Sequence, residues 1–406
     1  MKADKRFMYT IYAIFFIAYL TLSSTAPILL MISQKSQMSM TELQLGVSLL
    51  FFFFSVSSIV LGPVSDFLGR RRVLLIAQSV SLMGLLVCLF SDSFYTFAFG
   101  LVIIGLGTGA FSVVSRSIVN HAIKNPHLLF KAYTTFSVLV IAGPIVATKL
   151  SIDMAEHMNW HLIYGVLAIL VACLLLSTYL NAHEPDKSFV PSRVNVKGIS
   201  EQFLYCAKNP LFMKNAILVG LFFSVILGLF LGFGPEVFIK RFHVSTSDYS
   251  NIALFICVSY FVGNMISKYI GSRMVKRHLK FVAFALVAIA TLILNTHMTL
   301  NYTISTFIAI GIGAGMLGPM GTHGGMKVLD KHFGTAAAMF TAFFSIFSAI
   351  WSYLHAVLNM NALTLISIIL WFIVIICTLF ELVKPDRETA SEQYGQVKSP
   401  RIQKAA

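Results

Sequence analysis

The chain has 406 residues, 57% of them hydrophobic and only 11% charged. A soluble globular protein carries about 25% charged residues, so the composition excludes that class and calls for an all-α integral membrane protein. The formal net charge of +14 implies no nucleic-acid partner, because the basic residues are spread over short connections and do not form one face of a soluble domain.

Residues 1 to 7 are polar and basic and 8 to 31 apolar, a run too long for a signal peptide and followed by no small-x-small cleavage pattern. Eleven further apolar segments follow, at 43–62, 73–91, 95–118, 131–150, 160–181, 211–235, 249–270, 281–296, 303–326, 335–357 and 362–383. Each is close to the roughly 20 residues that cross a bilayer core as a helix, and twelve such helices put both termini on one side. With the N-terminus inside, 26 of the 30 Lys and Arg fall in cytoplasmic segments, and Lys35, Lys149, Lys240 and Arg241 are the exceptions. Both termini are therefore expected to be cytoplasmic. The five cysteines, Cys88, Cys173, Cys206, Cys257 and Cys377, stand singly with no metal-ligand or redox spacing and read as packing residues. No metal and no cofactor is expected.

Between the second and third helices lies Gly62-Pro-Val-Ser-Asp66-Phe-Leu-Gly69-Arg70-Arg71-Arg72, read as a tight polar loop. Three arginines would each cost roughly 2.5 to 3.5 kcal/mol to carry into lipid, so the loop is placed on the cytoplasmic side. In helix 4, Gly105 and Gly109 lie along one stripe with Ser112, and in helix 10 Gly311, Gly315 and Gly318 do the same. Small stripes let helix backbones approach closely in lipid. Gly143-Pro144 in helix 5 and Gly318-Pro319 in helix 10 predict kinks, since an interior proline removes a hydrogen bond.

The longest polar segment, 182–210, falls at the midpoint and reads as a cytoplasmic linker between a half at 1–181 and a half at 211–383. Gly105-Leu-Gly107-Thr-Gly109 recurs as Gly311-Ile-Gly313-Ala-Gly315, and the same offset carries Arg70-Arg71 onto Lys276-Arg277. The expected fold is two six-helix pseudo-repeated halves, followed by a polar tail at 384–406 expected to be disordered.

The order Gly62, Asp66, Gly69, Arg70, Arg71, Arg72 resembles the signature of the major facilitator superfamily between helices 2 and 3, with Phe67 where the family usually has a basic residue. An ordinary positive-inside loop containing glycine is the alternative. Further similarity points to the Bcr/CflA-like branch of the drug:proton antiporters. It lies in Val113-Val-Ser-Arg116-Ser-Ile-Val, Ala142-Gly-Pro144-Ile, Asn159-Trp160-His161-Leu-Ile-Tyr164 and Gly334-Thr-Ala-Ala-Ala338. Two positions depart: Leu101 stands where that group has an arginine, and Ser23 where the branch has an acid before a proline. The resemblance implies that Asp66 sits against the start of helix 11 near Thr335. It also implies a bacterial inner membrane and a monomer.

Of the acids, Glu236 is the one placed inside a helix that lines the cavity of such proteins, after Gly234-Pro235 at the outer end of helix 7. An intramembrane ionisable residue is a functional-site hypothesis by default, though this position also fits an interfacial residue beside Lys240 and Arg241. His323, on the stripe of Met316 and Pro319, could exchange a proton near neutral pH or be a hydrogen-bonded packing residue. With Tyr19, Ser23 and Arg116 these form the candidate proton or substrate site. No Ser/His/Asp order or phosphate loop suggests an enzyme. The reading is a secondary transporter that exports a small amphipathic molecule, with protons as coupling ion and membrane lipid as its surroundings. A dedicated carrier of one metabolite is the alternative.

Overall fold

The computed structural model describes residues 5–123, 126–182, 196–270, 276–296, 299–329, 332–358 and 360–383. Among these, twelve helices are long and apolar enough to cross a membrane. Helix 1 runs Lys5–Ser23, breaks at a short turn Ala26–Ile28 and resumes as Leu29–Lys35. Pro27 causes the break, because it has no N–H to give to the preceding turn. Helices 2 to 6 are Met40–Leu68, Arg70–Leu89, Phe94–Ala122, Pro126–His157 and His161–Asn181. Within the segment expected as linker, Val196–Lys208 forms an amphipathic helix, while residues 183–195 and the tail 384–406 lie outside the described residues. Helix 7 runs from Pro210 to Arg241, with π-helical turns at Val225–Phe230 and Glu236–Arg241. Helices 8 to 12 are Thr246–Ile270, Lys276–Thr296, Leu300–Lys327, Phe333–Leu358 and Ala362–Val383.

The ends of these helices follow local chemistry. Ser39 Oγ accepts from the Glu42 N–H at 3.2 Å and the Ser39 N–H donates to Glu42 Oε2 at 2.8 Å, a capping box that starts helix 2. Ser93 and Thr96 repeat the device at helix 4. Asn209 Oδ1 accepts from the Leu211 and Phe212 N–H groups, and Pro210 follows at the first helical position of helix 7.

Within the bundle, helix 4 packs on helices 2 and 3 and helix 10 packs on helices 8 and 9. The two arrangements match residue for residue. A side chain at Gly105 or Gly109 would run into the carbonyls of Leu50 or Phe54; one at Gly315 would run into that of Tyr260, and one at Gly311 into Ser259 Oγ, with the Ile256 carbonyl 3.2 Å away. Gly107 meets Ala77 and Ser81, and Gly313 meets Ala283 and Val287. All of these positions correspond at the one offset read from the glycine runs, so the repeat is one of packing as well as of sequence. Gly143 likewise lets helix 5 lie against helix 1, where a Cβ would come 2.8 Å from that of Tyr19.

Helix 2 against helix 11 and helix 5 against helix 8 join the halves. Three polar contacts fasten helix 2: Ser55 Oγ donates to the Ala342 carbonyl (3.3 Å), Ser48 Oγ to that of Ala349 (2.9 Å) and Gln44 Nε2 to that of Gly232 (3.2 Å). Large apolar side chains such as Ile76, Phe99 and Leu176 stay exposed on the outside, as a lipid-facing surface requires.

Candidate functional site

At the end of the bundle that carries the three arginines, here the basic end, helix 2 does not stop at residue 62. The stretch expected as a loop is helical through Leu68, and the whole reversal into helix 3 is made at Gly69, with φ 96° and ψ 131°. Pro63 is accommodated within helix 2, and a conformation open to glycine does the turning. Gly62 fits between helices 4 and 11, where a Cβ would lie 2.7 Å from Val113 and 3.7 Å from Ala338. Asp66 Oδ1 accepts from Arg70 Nη2 at 2.6 Å, and Arg70, itself buried, donates from Nε to Ser117 Oγ of helix 4 at 2.9 Å. Arg71 donates to the Tyr179 carbonyl of helix 6, while Arg72 is exposed. Thr335, at the start of helix 11, donates to Gln202 Oε1 of the amphipathic helix at 2.8 Å.

In the middle, aromatic rings from both halves meet. Tyr19 of helix 1 packs on Phe15 (5.1 Å between centroids), on Phe344 of helix 11 (6.3 Å) and on Phe223 of helix 7 (6.5 Å). Phe136 adds a ring beside Phe15, and Tyr260 one beside Phe223. Pro144 lines a narrow apolar cleft next to this cluster with Phe223, Cys257 and Tyr260. Arg116 enters from helix 4. Its guanidinium lies 5.0 Å from the Phe15 ring centre, Nη1 donates to Thr341 Oγ1 at 3.1 Å, and the Tyr19 hydroxyl is beside it. Ser23 is buried on helix 1 without a hydrogen-bond partner among the described residues, and Leu101 is buried beside Gly46.

Toward the opposite, far end, helix 7 continues past the predicted residue 235, so Glu236 stands within the helix. Its Oε2 lies 3.0 Å from His355 Nε2 of helix 11 and its Oε1 3.8 Å from Lys240 Nζ. His355 is buried and stacks on Phe233. It stands in the apolar run of helix 11, so the signal that marks Glu236 marks it too. Gly315 and Gly318 face Tyr260 of helix 8, and Pro319 lies within helix 10. The side chain of His323 lies outside the described residues.

A further cluster connects helices 7, 9 and 12 near the basic end. Glu381 Oε2 is 2.8 Å from Lys214 Nζ and 3.4 Å from Lys280 Nζ, and all three side chains are buried.

Comparison with known proteins agrees with this architecture. The family model of the Major Facilitator Superfamily matches residues 11–352. An uncharacterized transporter of Rickettsia felis is 22% identical over 76% of this chain and 78% of its own length. The multidrug resistance protein MdtM of Salmonella typhimurium is 21% identical over 62% of this chain and 60% of its own. Among solved structures, the D-xylose-proton symporter superposes with a TM-score of 0.74 at 14% identity, covering 94% of this chain and 98% of that one. With the packing repeat, the polar reversal at Gly69 and the match over residues 11–352, the chain belongs to the Major Facilitator Superfamily.

Proposed function

We propose that the protein exports a small amphipathic molecule across a bacterial cytoplasmic membrane, by alternating access of one central site between the halves 1–181 and 211–383. The observation that carries this reading is the aromatic cluster of Phe15, Tyr19, Phe223 and Phe344, contributed by both halves and interspersed with few polar groups. Such a lining suits an apolar body with one or two polar handles better than a sugar or a phosphate. The similarity to a multidrug resistance protein supports the direction. In this reading the basic end is cytoplasmic, because Lys and Arg concentrate there. The protein works as a monomer, with no cofactor and no catalytic residues.

Rocking of one half against the other exposes the centre first to one side and then to the other. The Asp66–Arg70–Ser117 chain holds helices 2, 3 and 4 of the first half together at the basic end, where Gly62 of helix 2 packs against Ala338 of helix 11 and closes that end, and the Glu236–His355 pair is the element that loads and releases a proton toward the far end. Glu236 is suited to this because its helix contributes both to the centre, through Phe223, and to the contact with Gln44. A proton moved with the membrane potential gains about 2.3 kcal/mol per 100 mV.

The test is uptake into inverted membrane vesicles, screened over amphipathic compounds with and without an imposed proton gradient. Gradient-dependent accumulation is expected. Vesicles that match protein-free controls for every compound would overturn the reading.

A further inference from the structure

Arg116 is a cation placed among rings. A helical side chain leans toward the N-terminus of its helix, and for helix 4 that direction leads from the basic end toward the middle of the membrane. The guanidinium accordingly reaches the level of Phe15 and Tyr19. Among the described residues no carboxylate pairs with it: the acids in ion pairs are Asp66, Asp153, Glu236 and Glu381, and each is matched to another base. What faces Arg116 is neutral, namely one threonine hydroxyl, one tyrosine hydroxyl and the face of a phenylalanine ring. Ser112, fully buried next to Tyr19, adds a hydroxyl without a well-formed hydrogen bond among the described residues. A guanidinium taken partly out of water is stabilised best by a bidentate anion, and this centre supplies none.

We propose that the missing anion is the substrate's. Arg116 is the anchor for a negatively charged head group, with Tyr19, Ser112 and Thr341 as further hydrogen-bond partners and the surrounding rings as the seat for the body. The transported class is then an organic anion, a carboxylate or sulfonate on an aromatic or alkyl skeleton. This rests on the reading of the aromatic centre as the substrate site. A cationic amphipath meets repulsion at the same point, with no acid among the central side chains to offset it.

The geometry also ties recognition to the gate. Arg116 donates across the halves to Thr341, while its chain neighbour Ser117 holds Arg70 of the motif. An anion that engages both edges of the guanidinium competes with Thr341 and so removes one contact between helix 4 and helix 11 across the halves.

The experiment uses the full-length protein in lipid nanodiscs at neutral pH. The probes are 4-phenylbutyrate, 4-phenylbutyramide and 4-phenylbutylamine, with the same three head groups on a naphthyl and an octyl skeleton, measured by calorimetry. On at least one skeleton the carboxylate is expected to bind about tenfold or more tighter than its amide, with the amine weakest. In Arg116→Gln that carboxylate-to-amide ratio is expected to fall to about one, and in Arg116→Lys to keep part of its value, since lysine retains the charge without the fork. Amide or amine binding as tight as the carboxylate on every skeleton would overturn the anion subsite and leave the amphipath reading standing. No binding by any of the nine compounds would overturn both. Should Arg116→Gln fail to fold, the wild-type ratios still decide.

Discussion

His355 Nε2 lies 3.0 Å from Glu236 Oε2, tying helix 11 to helix 7 one turn beyond the carbonyl of Gly232 on which Gln44 of helix 2 docks. If this pair handles the proton, Glu236→Gln and His355→Gln should each abolish gradient-driven transport and leave substrate exchange at zero gradient intact. Because the two act as one unit, the double replacement should be no worse than either alone. The companion replacement His323→Asn distinguishes a second carrier. A Glu236→Gln protein that still accumulates substrate against its gradient would assign the coupling elsewhere.

The reversal at Gly69 gives a stability prediction. At φ 96° and ψ 131° a side chain is strained whatever the space around it. Gly69→Ala should therefore cost roughly 1 to 3 kcal/mol, seen as a lower melting temperature in detergent. Asp66→Asn acts differently, because it removes the charge that holds Arg70 without straining the chain. That variant should reach the membrane at normal levels and cycle slowly. Phe67→Arg should lower the accessibility of cysteines introduced near the basic end.

The glycine seats predict a matched pair of effects. Gly109→Ala and Gly315→Ala each push a methyl group into a facing carbonyl, of Phe54 and Tyr260 respectively, where only backbone shift can relieve the clash. Each should destabilise by about 1 to 3 kcal/mol, as overpacking does. Gly334→Ala is the control, since among the described residues nothing lies within 4 Å of its added methyl, and it should stay within about 0.5 kcal/mol of the wild type. Equal melting temperatures for Gly109→Ala and Gly334→Ala would show that the helices move apart freely.

Glu381 balances two buried lysines from helices 7 and 9. Glu381→Gln keeps the shape and removes the charge, so it should destabilise by roughly 3 to 5 kcal/mol, the cost of leaving buried charge uncompensated. The loss should appear in thermal unfolding even where transport by the surviving folded protein is unchanged.

Much of this was legible in the sequence because it is local or repeated. Apolar runs mark spanning helices one at a time, and the Gly105–Gly109 and Gly311–Gly315 echo anticipated the shared packing seats. The run 211–235 stops short because the single charge of Glu236 interrupts it, while Val237, Phe238 and Ile239 continue the apolar pattern and the backbone goes on as a π-helical turn to Arg241. The motif likewise reads as a loop because its residues are polar, yet polar residues at a membrane face remain helical until a residue such as Gly69 allows reversal. Pairings between distant segments were not legible. Glu381 meets lysines 167 and 101 residues away, and nothing in the local pattern around Glu236 points to His355. The aromatic centre was hidden for the opposite reason: with 36 phenylalanines, composition cannot single out the few that converge.

The three contacts by which helix 2 holds the other half are all side-chain donors on main-chain carbonyls of helices 7 and 11. Each contributes about 0.5 to 1.5 kcal/mol net, so the polar part of this seam amounts to only a few kcal/mol, within reach of the binding energy of one ligand. Letting go strands little. The serine hydroxyls can fold back onto their own helix, as Ser58 already does onto the Phe54 carbonyl at 2.8 Å. The seam between the halves thus behaves as a reversible zipper whose teeth have somewhere to rest when it is open.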